Sequence, residues 1–544
     1  MKQQCKNCFK TFSIDSQDQE FFNKINIPFP KECPDCRQQR RLAFRNERSL
    51  YKRKCDLCKK EMISLYNSDS KFQVYCKDCW WSDKWSPLDY GIKYNPQQNF
   101  FEQYKKLLSK IPKLGFIVSH GENSDYCTYS VYYKNSYMCI SGVVGENMLY
   151  SYFVNDSKDC VDCSTSFKLE KCYECMDSNN LFNSIYSKDC QNSSYLYFCR
   201  DLINCNNCIG CIGLRHKDYY IFNKPVKKEE FEKYIIRVFT NKSKINTFYK
   251  KYNNLIKKHP HIFNVIEDSE NCTGNYLYNS KNCHSCFDAK NLENSKFCWN
   301  IPQGATEVYD INYSPKTELC YNSMSIVNGN HIFNSWNSWD CEFGEYLIEC
   351  FYSKNLFGCI GLRHEENCIL NTKYSAKQYN EIKNKIIKKL IKQGIYGEYF
   401  PKKLSPFSYN ETIAGDFFPL KKEEAENQGF HWKEKLTDSI HEGVIREKNT
   451  KKCTQCNKIF KYIKQELDFY TDLNIPKPNK CFSCRHLARL KLRNPHNLWH
   501  RQCMCTQIDH NHTGRCQNEF STTYSPNQPE IIYCQDCYNK EILL

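Results

Sequence analysis

The sequence predicts a mainly β chain with added helices (α+β), in which two repetitive, cysteine-rich blocks are flanked by a duplicated pair of small cysteine-framework modules. Three observations predict it. Cysteine pairs recur with the same gaps near both ends, cysteines in the middle fall at multiples of six residues, and each repetitive block closes on nearly the same words. At 544 residues the chain exceeds one compact core, so several units are expected. Hydrophobic and aromatic contents of 40% and 15% describe a folded chain rather than a disordered one.

The terminal frameworks come first. Twenty-four residues separate Cys8 from Cys33, and 24 separate Cys456 from Cys481. Eighteen lie between Cys36 and Cys55, as between Cys484 and Cys503, and 17 lie between Cys58 and Cys76, as between Cys516 and Cys534. FFNKINIPFPKEC and FYTDLNIPKPNKC occupy the same place in the two copies, so the spacing records an internal duplication.

Two residues between thiolates let one tight knuckle present both sulfurs to a single ion, and a second knuckle closes a tetrahedral zinc site. Four thiolates leave no open position, so such an ion is structural, and a module with little core depends on it to fold. The predicted sets are Cys5, Cys8, Cys33 and Cys36; Cys55, Cys58, Cys76 and Cys79; Cys453, Cys456, Cys481 and Cys484; and Cys503, Cys516, Cys534 and Cys537. About four structural zinc ions are expected. In the last set CMCTQIDHNHTGRC replaces the first knuckle, so Cys505, His510 and His512 compete with Cys503 for the fourth position.

The motif CKNCFKTFSIDSQDQEFFNKINIPFPKECPDCRQQRR resembles small zinc-binding domains of treble-clef or zinc-ribbon type, over about 40 residues at each end. With WWSDKWSPLDYG (80–91) and the central repeats, the arrangement resembles an uncharacterised family abundant in candidate-phylum bacteria with reduced genomes. That resemblance implies an architecture and no activity.

In the middle, separations from Cys160 to Cys172 and from Cys199 to Cys205 to Cys211 are multiples of six, while Cys172, Cys190 and Cys208 are 18 apart. Short strands turned by Asn, Ser and Asp, with small apolar residues at one phase, predict a β-solenoid of roughly 18-residue coils. Cysteine suits its interior as a small, weakly apolar side chain, and Asn at the corners tolerates left-handed angles and bonds along the stack. CIGCIGLRHKDYYIFNK (208–224) and LFGCIGLRHEENCILNT (356–372) end the blocks, each followed by an apolar, lysine-backed period that predicts a helix capping the open end. Arg215, His216, Arg363 and His364 read as capping groups rather than catalysts.

The expected division is 1–50 and 51–100 (zinc modules), 120–225 (first solenoid block), 226–260 (capping helices), 261–373 (second block), 374–397 (capping helix), 398–448 (linker), and 449–495 and 496–544 (the second zinc pair).

Net charge is +16, concentrated in a few stretches. Residues 31–60 hold eleven basic residues against four acids, and 477–501 hold seven against none. Arg37, Arg40, Arg41, Arg45 and Arg48 follow the second knuckle at helical steps, as Arg485, Arg489 and Arg493 do in the other copy. A rigid guanidinium row matches phosphates, and nearby Phe44, Tyr51, Trp80, Trp81, Trp85, Trp499 and Tyr524 offer stacking faces. The expected function is therefore non-catalytic binding of nucleic acid, RNA ahead of DNA. The alternative is a protein–protein scaffold using the solenoid face.

No GxxxxGK[ST], HExxH, GxSxG or strand-to-helix GxGxxG motif is present. The fragment IDHNHTGRC (508–516) resembles the core of HNH-type nucleases, which gives a second alternative with His510 as general base and Asp509 and His512 on a divalent metal. No apolar run reaches the length of a membrane span, and 37 cysteines arranged largely in Cys-x-x-Cys pairs without a leader-like N-terminus point to a reducing cytoplasm.

Overall fold

The computed structural model describes residues 1–312, 319–324, 328–434, 449–510 and 512–543. It is a mixed α/β chain rich in short strands. Two compact units divide it, one comprising Met1–Phe116 and Val265–Thr437, the other Ile117–Asn264 and Asp438–Leu544. Each therefore joins one repetitive block to the pair of terminal modules that is remote from it in sequence.

Both blocks are parallel ladders; the register is uniform in the second unit and slips in the first, to eleven residues at the Ile266–Leu277 pair and thirteen at the Leu292–Ala305 pair. In the second unit Val131 pairs with Val143, Phe167 with Asn179, Leu181 with Ser193 and Leu196 with Cys208. In the first, Gly274 pairs with Cys286, Glu342 with Lys354 and Leu356 with Cys368. The offset is twelve residues in each of these pairs, which corrects the expected repeat of roughly 18. Six and 18 are a half and one and a half of the true repeat, so those spacings are real but link opposite phases of it.

The cause is a three-residue rhythm. From His120 to Phe222 every third residue has positive φ, for example Asn147 at 54°, Asp162 at 57° and Asn180 at 54°. Most residues that follow such corners point inward: Cys127, Cys139, Cys160, Cys163, Cys172, Cys175 and Cys190 are all fully buried in one core. The left-handed conformation strains a side chain with a Cβ, least for Asn and Asp. Hydrogen bonds between repeats offset that strain; the Asp162 N–H donates to Leu149 O at 3.0 Å. Asn amides also bond along the ladder, Asn180 to Asn192 at 2.9 Å and Asn279 to Asn291 at 2.8 Å. The interior thiols bond locally, Cys199 Sγ lying 3.5 Å from Tyr197 O and 3.4 Å from Cys208 O.

The last parallel strand of each block is edged by an antiparallel one: Asp218–Ile221 by Lys224–Pro225, and Glu366–Ile369 by Thr372–Lys373. The helices Lys228–Phe239 and Lys242–Lys258 instead set Phe231, Phe239 and Phe248 against Phe198 and Ile209, in an apolar cluster separate from the cysteine column. They cover a flank, and the hairpin strand covers the ladder's edge. Residues 398–434, expected as linker, fold onto the first module: Ser405 Oγ donates to Ala43 O at 2.7 Å and Ile413 N to Arg45 O at 3.0 Å. The remainder of that expected linker, 435–448, lies outside the described residues. Among the described residues no helix is long and apolar enough to cross a membrane.

Candidate metal centres and the arginine docks

Each of the four predicted cysteine sets is gathered so that its sulfurs lie within 4.8 Å of one another. A tetrahedral ion with sulfur bonds of about 2.3 Å separates its thiolates by about 3.8 Å. Cys8 and Cys33 are 3.7 Å apart, Cys58 and Cys76 3.8 Å, Cys456 and Cys481 3.6 Å, and Cys516 and Cys534 4.0 Å. The donor type and the spacing both fit a four-thiolate metal centre.

One backbone contact recurs in all four modules. The N–H that opens the second knuckle donates to the first sulfur of the first: Cys33 to Cys5 at 3.2 Å, Cys76 to Cys55 at 3.3 Å, Cys481 to Cys453 at 3.3 Å and Cys534 to Cys503 at 3.2 Å. Cys503 thus takes the place of Cys5, Cys55 and Cys453, and the fourth position in the last set is filled without Cys505, His510 or His512. Those three instead form a separate group with Cys537.

Burial would raise the knuckle thiols, but N–H donors from Cys33, Cys8 and Asn7 outweigh it at Cys5 and bring it down to about 7. The same opposition sets Cys55 at about 7 and Cys453 at about 6. Burial, then neighbouring sulfurs, push Cys79 up to about 12 and Cys484 well above its ordinary value. In these three sets the backbone thus prepares the first sulfur as thiolate, whereas burial pushes Cys503 in the last set up to about 11.

The arginine rows lie inside the units. Arg37, Arg41 and Arg45 are at most 2% exposed, and Arg485 and Arg489 at most 4%. Helix Pro34–Leu42 sets Arg37 Nε 2.7 Å and Arg41 Nη1 3.4 Å from the buried carboxylate of Asp310. Helix Phe482–Leu490 sets Arg485 Nε and Arg489 Nη1 each 2.8 Å from Asp162. Arg41 Nε donates to Asn312 at 3.2 Å, and Arg489 Nε to Ser164 at 3.2 Å, two residues beyond the aspartate in each copy. Arg37 lies 5.5 Å over the Phe297 ring and Arg485 4.8 Å over Tyr150. Both aspartates sit at left-handed corners, φ 68° and 57°.

The remaining rows are also paired. Arg40 meets Glu32 and Glu398, Arg45 meets Glu47, Arg48 meets Asp416, and Arg493 Nε lies 2.8 Å from Asp177. Burial lowers the charged form of Arg37, but Asp310 more than restores it and holds the group above its ordinary value; Asp162 does the same for Arg485. Sequence reading missed Asp162, Asp310, Ser164 and Asn312 because one more Asp, Ser or Asn in a repeat full of them looks like a corner residue. The available signal was the recurrence of Arg37 and Arg41 as Arg485 and Arg489 at fixed offsets from the knuckles.

Of the expected stacking faces, Phe44, Tyr51, Trp80, Trp85 and Tyr524 are buried, while Trp81 and Trp499 are half-buried. Arg363 donates to Trp80 O at 2.7 Å and lies 5.3 Å over the Trp80 ring. Arg215 is paired with Asp201 at 2.9 Å. His216 and His364 are exposed, His364 stacked on Tyr352 with ring centres 5.0 Å apart. In the nuclease-like fragment, His510 Nδ1 lies 3.2 Å from Cys505 Sγ, Asp509 is exposed and outside every candidate metal group among the described residues, and a strand, Glu519–Thr522, follows where a nuclease needs a helix.

No family model matches the chain, and no curated protein matches it. A solved structure described as a "putative acetyltransferase" from Desulfovibrio desulfuricans G20 aligns at 11% identity, covering 51% of this chain and 81% of that one, with a TM-score of 0.10. A likeness that weak carries no argument.

Proposed function

We propose that the chain is a non-catalytic interaction scaffold: zinc ions held by four thiolates brace treble-clef-like modules, which dock on two cysteine-cored β-solenoids with twelve-residue coils. Thiolates at tetrahedral spacing favour zinc over harder cations.

The observation that carries the scaffold reading is the set of aromatic–histidine stacks left on the outside of the ladders. His120 and Tyr132 stack with centres 4.7 Å apart, His331 and Phe343 5.1 Å, and Tyr352 and His364 5.0 Å. Each pair is twelve residues apart, and Tyr132 and Tyr352 are 55% and 51% exposed. Exposed aromatic rows of this kind are the usual anchors of protein recognition. Replacing Tyr132 and Tyr352 by Ser should release the protein partners that co-purify with the chain from its host while leaving its thermal unfolding unchanged. Retention of the same partners would remove the reading.

A second reading, RNA or DNA binding, has support on another surface than the arginine rows. Lys242, Lys244, Lys250, Lys257 and Lys258 are exposed on one helix. Phosphate-driven retention there should fall steeply between about 50 and 200 mM salt, whereas retention of a protein partner should not.

A further inference from the structure

We propose that the last module holds two metal ions, with the thiolate of Cys537 bridging them. Cys537 belongs to two groups at once: Cys503, Cys516, Cys534 and Cys537, and Cys505, His510, His512 and Cys537, the ligand atoms of each lying within 4.8 Å of one another. The first group is complete, because Cys503 repeats the contact made by the first cysteine of the other modules. The other three donors are therefore surplus to it rather than rivals within it.

Their geometry is that of a second site. Cys505 Sγ lies 3.2 Å from His510 Nδ1, and Cys537 Sγ lies 3.4 Å from His512 Nε2. Those distances are close to the ligand–ligand edge of a tetrahedral ion bound by sulfur and nitrogen, about 3.5 Å. Cys505 is 0% exposed, Cys537 1% and His510 4%, so three of the four donors are withdrawn from water, and His512 is half-buried. His510 Nε2 is buried without a hydrogen-bond partner among the described residues, so the ring's only polar contact is at the nitrogen facing the sulfur.

The sequence supplies a reason for the extra donors. Two residues separate Cys55 from Cys58, but twelve separate Cys503 from Cys516, and Cys505, His510 and His512 all lie within that insertion. Seven side chains would serve two four-coordinate ions. Five thiolates against two divalent cations leave a net charge of −1, less than the −2 left by an isolated four-thiolate centre. Thiolate with imidazole suits zinc or another borderline divalent ion.

This inference rests on the reading that the four-thiolate groups hold ions, and one experiment separates the two. Elemental analysis of full-length protein purified with zinc should give five ions per chain, one for each group. His510→Ala and His512→Ala should each lower the count by one without affecting the N-terminal modules. Protein refolded with cobalt should show magnetic coupling between two ions, lost in either variant. Four ions in the wild type, or five that persist in both variants, would overturn the bridged pair alone. A count near zero would overturn the metal reading altogether. If a variant module sheds both ions by unfolding, the wild-type count and the cobalt coupling still decide.

Discussion

The two knuckle helices dock on their ladders by the same device with different charge. In each, two arginines one helical turn apart share one buried aspartate at a left-handed corner, and the second arginine's Nε bonds a small polar residue two positions on. Around that core the copies diverge. Twelve residues past Asp310 stands Asn322, a neutral acceptor for Arg41 at 2.5 Å, while twelve past Asp162 stands Glu174, 3.7 Å from Arg489. Arg45 turns back to Glu47 within its own module, whereas Arg493 crosses to Asp177, which also receives Lys188 at 3.6 Å. The shared part is what fixes the helix; the variable part sets how much carboxylate surrounds it. Buried guanidinium groups require that pairing, because an unpaired ion in the interior is far costlier than the pair.

Removing metal should have the largest effect. A chelator strong enough to strip thiolate sites should expose both pairs of terminal modules to protease while the cysteine-cored ladders resist, as mass spectrometry of the fragments would show. Uniform resistance across the chain would mean that the modules fold without ions.

Loss of either aspartate comes next. Asp310→Ala and Asp162→Ala should each destabilise their own unit by about 3–5 kcal/mol. Asp310→Ala should cost more, since Glu174 still faces Arg489 in the other copy whereas Asn322 carries no charge. Denaturant unfolding of the two variants orders them, and equal costs would erase the distinction between the docks.

A pH difference should follow from Glu174. Burial raises its carboxyl from 4.5 to about 7, against the pull of Arg489. The folded group binds its proton at higher pH than the unfolded one. Its contribution is therefore fully present below about 4.5 and lost as pH rises through about 7, on the order of 3 kcal/mol. Melting curves at pH 6 and 8 should differ less in Glu174→Gln than in wild type. The smallest effect is expected at Lys24 and Glu307, an exposed pair 2.6 Å apart with side chains 50% and 32% exposed. Lys24→Ala should change stability by less than about 1 kcal/mol.

The cysteine framework was legible because its spacing is local: two knuckles and a fixed gap leave a record in one dimension. The repeat was legible only in part. Cysteines occupy only some inward positions, so their separations of three, six, nine and 18 do not single out twelve, and the three-residue rhythm is carried jointly by Cys, Ser, Leu, Met and Val. The role of the arginines was not legible. A basic helix beside a cysteine knuckle reads the same whether it faces solvent or a carboxylate more than a hundred residues away, and only the fold brings Asp310 to Arg37 or Asp162 to Arg489. The insertion at 504–515 was visible, but one dimension could not separate competing ligands from ligands of a second ion.

The claim that the arginine rows are internal docks is tested most directly by a double-mutant cycle on Arg489 and Asp162, with stability read by urea-dependent proteolysis of the full-length chain. A buried pair predicts a coupling of about 2 kcal/mol or more between Arg489→Ala and Asp162→Ala. Costs that add to within about 0.5 kcal/mol would contradict it and return the arginines to an external partner.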